Sequence, residues 1–235
     1  MKNTFALLAM LFAATISVAP AATLTRITVS GEGTVAVVPD QASIRASIIT
    51  NADRAEDAVS QTNATYARAV DAVVALGVAR DDITLADYNV SYNPRPSSTP
   101  NEPPPAGRFG YVVTRTFDVK VRNVGKAGAV VDALTKAGTT NIESVAFGTS
   151  DPSRVRSEAT TRAMQEARAK AEDAARAAGL HITGIEQIVY GGSGGVVPMM
   201  RVATMSAMAA PAPTAFDAGS VKVTTDLTVI FLAQP

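Results

Sequence analysis

The sequence predicts an α+β fold: a mainly antiparallel sheet with long helices packed on one face. Three observations lead there. Several segments alternate apolar and polar residues with a period of two, and three others step their apolar residues by three and four. The links between them are short, which favours antiparallel neighbours. A porin-like barrel is the competing architecture for an exported, strand-rich chain, and three helices, one of them long, count against it.

Residues 24–51 read as strands broken at Gly31-Glu32-Gly33 and at Pro39-Asp40. Ala42, Ile44, Ala46 and Ile48 alternate with Ser43, Arg45 and Ser47, the period of a sheet with one buried face. Asp53 stands where it can cap a helix whose stripe is Ala55, Val59, Thr62, Tyr66, Val70 and Val73, ending at Gly77. Short strands are expected near 82–85 and 87–93. Residues 93–107 hold six prolines in fifteen positions, the composition of a solvated, extended loop. The clearest strand is 108–122, with Phe109, Tyr111, Val113, Phe117, Val119 and Val121 on one face; its length suits a central place with partners on both sides. A helix over 125–137 and a strand over 141–147 follow.

Asp151-Pro152 pairs an N-cap with a proline at the first helical position. The helix it starts runs to about residue 178 and stops at Gly179. Ala159, Ala163, Ala167, Ala171, Ala174 and Ala178 line one side; Glu158–Arg162, Glu166–Lys170 and Glu172–Arg176 are spaced for pairs on the exposed side. Alanine lets a helix lie close to a sheet. A strand over 181–190, a second flexible stretch over 191–219 and a final strand over 220–233 complete the order.

Lys2, the uncharged apolar run 5–18 and Ala19-Pro20-Ala21 predict an export signal cleaved after Ala21, leaving one domain over 22–235 with flexible loops at 93–107 and 191–219. That run is short for a membrane span and no stop-transfer pattern follows. Without residues 1–21 the chain carries 20 basic and 21 acidic residues, a balance that argues against a nucleic-acid partner. With no cysteine, disulfides and thiol chemistry are excluded and the core must hold by packing.

The pieces I-x-V-S-G-E-G from Ile27 and V-x-P-D-Q-A from Val37 open a resemblance. It continues through "ALGVARDDITLADYNVSYNP", "YVVTRTFDVKVRN", the helix end "ARAAGL" and the closing "AGSVKVTTDLTVIFL". In this order, over nearly the whole exported chain, they resemble the SIMPL family of exported bacterial proteins. The resemblance implies a periplasmic location, association with the outer membrane or envelope, α+β architecture, self-assembly and a link to stress tolerance. It implies no agreed biochemical activity.

Reactive chemistry is sparse. Gly191-Gly192-Ser193-Gly194-Gly195 spells G-x-S-x-G, but a nucleophile elbow turns into a helix and has its histidine later in the chain, whereas the lone His181 comes earlier. Glu32 and Asp40 read as structural acids beside a glycine bulge and a proline turn rather than as an acid–base pair. Met199, Met200, Met205 and Met208 fall within ten residues; such sulfurs suit a partner contact or, less readily, Cu(I). No catalytic, cofactor-binding or metal-ligating residue is assigned. The expectation is a non-enzymatic, homo-oligomeric periplasmic protein that supports the cell envelope, with oxidative-stress tolerance implied by the resemblance. The alternatives are a monomeric module binding a small ligand, peptide or soft metal, and a hydrolase centred on Ser193.

Overall fold

The computed structural model describes residues 24–95, 107–191, 197–199 and 214–235. The signal segment, the proline-rich residues 96–106, Ser193 and the methionines at 200, 205 and 208 lie outside these. In chain order the elements are β1 (Thr25–Val37), β2 (Gln41–Ala52), α1 (Ala55–Ala75), β3 (Ile83–Asn93), β4 (Gly110–Val121), α2 (Ala127–Lys136), β5 (Asn141–Gly148), α3 (Pro152–Ala177), β6 (His181–Tyr190), β7 (Val197–Met199) and β8 (Ser220–Gln234). Residues 197–199 thus form a strand within the stretch expected to be a loop.

The antiparallel α+β expectation holds, but the strands form two sheets instead of one. One has the order β1-β8-β6, with β7 also paired to β8; the other has the order β3-β4-β2-β5. Every pairing is antiparallel. Helix α3 packs on the first sheet, whereas α1 and α2 pack on the second. Each sheet therefore has helices on one face, and no single sheet carries all three. The divergence begins at Val38-Pro39-Asp40, which joins the sheets: β1 finds its partner in β8, nearly two hundred residues on. β1 and β2 present apolar faces of different size. The small residues of β1 accept the alanine helix, while Ile44 and Ile48 of β2 need the bulkier α1 and α2.

Two cores result. Ile44, Ile48, Val73, Phe117, Val119 and Leu134 are buried in the second layer, where Tyr66 meets Phe117 edge-on with ring centroids 5.2 Å apart. In the first layer Leu227, Val229 and Phe231 pack on Ala163, Ala167 and Ala171. Each large side chain so buried stabilises the fold by about 1.5–3 kcal/mol before the entropic cost of ordering it. The layers are also joined through Phe216, whose ring lies 5.9 Å from that of Phe147.

Several local expectations are sharpened. Strand β3 is continuous, with a register shift between Leu85 and Asp87 where two strands were expected. Strand β4 is central, flanked by β3 and β2. The cap of α1 is Arg54, without a side-chain cap bond, rather than Asp53. A 3-10 turn, Val124–Lys126, takes the start of the helix expected from 125. Asp151 does cap α3, accepting from the Arg154 amide at 2.9 Å. The buried row of α3, Val155, Ala159, Ala163, Ala167, Ala171 and Ala175, keeps a four-residue step to its end, so it closes at Ala175 and leaves Ala174 and Ala178 off the seam. Glu158–Arg162 and Glu166–Lys170 pair as spaced; Glu172 instead takes Arg168, and Arg176 takes Asp173.

Candidate functional site

The pairing of β1 with β8 runs without a register shift from Thr25 to Val37, so Gly31-Glu32-Gly33 makes neither a bulge nor a break. Its glycines admit α3. A Cβ on Gly31 would stand 2.1 Å from the Ala163 carbonyl oxygen, and one on Gly33 would stand 1.9 Å from that of Ala159. Small residues on both sides bring helix backbone against strand backbone.

That approach puts the polar side chains of α3 along the outer edge of β1. Lys170 Nζ donates to the Ser30 carbonyl at 3.0 Å, the Glu32 amide donates to Glu166 Oε2 at 2.7 Å, and Arg162 Nη1 donates to the Thr34 carbonyl at 2.9 Å. Hydrogen bonds from Lys170 and from the Glu32 amide hold the Glu166 carboxyl below its ordinary range. Unpaired strand edges are templates for further strands, and here three side chains occupy the template.

Asp40 ties together the two links between the layers. Its carboxylate accepts from the Ser150 amide and the Ser150 hydroxyl, both at 2.6 Å, while its own amide donates to the Gly148 carbonyl at 3.0 Å. The Ser150 bonds hold this carboxyl below the ordinary aspartate range. A carboxyl whose pKa is depressed on folding contributes stability above its unfolded-state value of about 3.9, lost as pH falls through the folded value. Asp40→Asn is therefore expected to lower the melting temperature at pH 7, with the deficit shrinking as pH falls below about 3.9. Thermal melts at the two pH values check this, and equal deficits would refute it.

The polar residues named from the sequence do not converge. Glu32 lies opposite Asp226 on β8, and His181 lies opposite Gln234. Eight strand residues separate those two partners, roughly 27 Å at about 3.4 Å per residue. A surface hollow of about 490 Å³ beside His181 is lined by Arg168, Glu172 and Arg176. Both arginines are already held at 2.8 Å, by Glu172 and Asp173 respectively. A smaller hollow, about 270 Å³, contains Glu32, Glu166, Lys170 and Asp226, and two of these serve the edge of β1. Among the described residues no group of three or more His, Cys, Asp or Glu could hold a metal, and no helix is long and apolar enough to cross a membrane.

What sequence reasoning missed is a pair of bare strands. β3 and β6 are outer strands of the two sheets. Leu85, Tyr88, Val90 and Tyr92 on β3, and Ile185, Ile188, Val189 and Tyr190 on β6, are exposed; Tyr92 and Tyr190 are 62% and 64% accessible. Most continue the helix-side row of the neighbouring strand: Val90 lies opposite buried Val113, and Ile185 and Ile188 lie opposite buried Phe231 and Val229. Their period-two pattern matches that of a buried strand, so the sequence held no signal that the covering helices stop one strand short.

The chain matches the model of the SIMPL family, described as a protein of unknown function (DUF541), over residues 27–231. It is similar to the 26 kDa periplasmic immunogenic protein of Brucella melitensis, 28% identical over 166 residues that cover 69% of this chain and 65% of that protein. The Brucella abortus protein of the same name matches to the same extent. The uncharacterized protein YggE of Escherichia coli K12 is 25% identical over 214 residues, 89% of this chain and 83% of its own length. A continuous match across both sheets and all three helices makes the assignment plain: this chain belongs to the SIMPL family.

Proposed function

We propose that this protein is a non-enzymatic periplasmic protein that self-associates and supports the cell envelope. A periplasmic location is supported by the name of the Brucella relatives and by the export signal read at residues 1–21. The link to oxidative-stress tolerance rests on the family resemblance.

One observation carries the self-association: β3 and β6 are outer strands with large exposed apolar side chains, and among the described residues no side chain holds their outer backbone, in a fold that guards the edge of β1 with three side chains of α3. Exported monomers blunt such edges; assembling chains use them. Support for the non-enzymatic reading comes from the separation of Glu32, Asp40 and His181 and the prior engagement of the charged groups in the hollows.

Light scattering on the purified protein at micromolar concentration is expected to give a mass several times that of the 24.2 kDa chain. A monomer would refute the reading and turn attention to the binding-module alternative, for which a saturable ligand-dependent rise in melting temperature at constant mass is the signature.

A further inference from the structure

We propose that copies of this chain join through one heterologous contact, β3 of one copy laid edge to edge against β6 of the next. This rests on the self-association reading above and assigns its surfaces. The ladders match in length, 11 residues in β3 and 10 in β6. Of the remaining outer strands, β1 is engaged by Arg162, Glu166 and Lys170, and β5 is the shorter at 8 residues and lies near β7. Among the described residues no side chain bonds to the outward backbone of β3 or β6.

The side chains fit as well. In each layer the apolar row that the helix covers runs out onto the outer strand, where among the described residues no helix covers the exposed positions. On β3 that row ends in Tyr88, Val90 and Tyr92; on β6 it ends in Ile185, Ile188 and Tyr190. With the helix sides aligned, the rows merge into one surface between α1 of one copy and α3 of the next.

Symmetry selects the heterologous arrangement. A two-fold contact through β3 alone leaves two β6 edges bare, and one through β6 leaves two β3 edges bare. A β3-to-β6 contact repeated from copy to copy covers both kinds of edge with a single interface, and closes into a ring when the rotation per copy divides a full turn.

Lysine substitutions at exposed positions test this without entering the core. Tyr88→Lys/Tyr92→Lys blocks β3, and Ile185→Lys/Ile188→Lys blocks β6. Each double variant alone is expected to run as a monomer in light scattering, and an equimolar mixture is expected to yield a species of twice the monomer mass, through the remaining free β6 and free β3. Dimers formed by either variant alone would overturn the proposal in favour of two-fold contacts. Wild-type mass retained by both would overturn it while leaving self-association standing, and a monomeric wild type would remove both. Should circular dichroism show a double variant unfolded, the single changes Tyr92→Lys and Tyr190→Lys, at the most exposed positions of the two strands, carry the same mixing test.

Discussion

Gly33→Ala is expected to destabilise the fold by about 3 kcal/mol, the upper end of the usual range for overpacking. The added methyl would stand 1.9 Å from the Ala159 carbonyl oxygen and 2.6 Å from the Ala163 amide nitrogen. Both obstacles are helix backbone, so no rotamer change relieves the clash. Either α3 lifts away or β1 bends from β8. Lifting α3 opens the small cluster of Val35, Val155, Ala159 and Val223 and draws Arg162 and Glu166 from the edge they guard. In a domain of this size the loss corresponds to a melting temperature lower by about 6–12 °C. Gly184→Ala is the control, because a Cβ there meets nothing within 4 Å. It is expected to change stability by less than about 0.5 kcal/mol. Urea denaturation of the two variants compares them directly. A Gly33→Ala protein as stable as the control would refute the close helix–strand contact.

Arg122→Ala is expected to destabilise the fold at pH 7, because it strips the partner from the poorly accessible Asp82 carboxylate. The Asp82 side chain is only 6% accessible and accepts from Arg122 Nε at 2.7 Å and Nη2 at 2.8 Å. Arg122 itself is largely exposed, so the reverse change, Asp82→Asn, leaves a cation that water can solvate and costs about 1 kcal/mol. The hydrogen bonds from Arg122 hold the Asp82 carboxyl below the ordinary aspartate range, against its desolvation. The pair therefore contributes above the unfolded-state value of about 3.9, and its contribution is lost as pH falls through the folded value. Urea denaturation at a series of pH values is expected to show the Arg122→Ala deficit largest at pH 7 and shrinking once pH falls below about 3.9. Equal deficits, or a larger effect of Asp82→Asn, would contradict the asymmetry.

The paired groups Asp82 and Arg122 stand forty residues apart and carry no pattern, so nothing in the chain announces them. Much else was legible. The alternation of Ala42, Ile44, Ala46 and Ile48 marks the buried face of β2, and Asp151-Pro152 and Gly179 bracket α3. The family resemblance was legible as well, because it is carried by contiguous strings. The partner of Asp40, Ser150, lies 110 residues away and was not legible.

Periodicity, caps and composition are properties of neighbouring residues, and they suffice for most of the elements and the α+β class. Which strands pair, and so the division into two sheets, depends on contacts between residues far apart in the chain. The same holds for the use of Gly31 and Gly33 and for the bare state of β3 and β6. A strand's pattern shows that it has an apolar face without showing what covers it. Coverage follows from where α1 and α3 end against their sheets, and packing sets that limit in three dimensions.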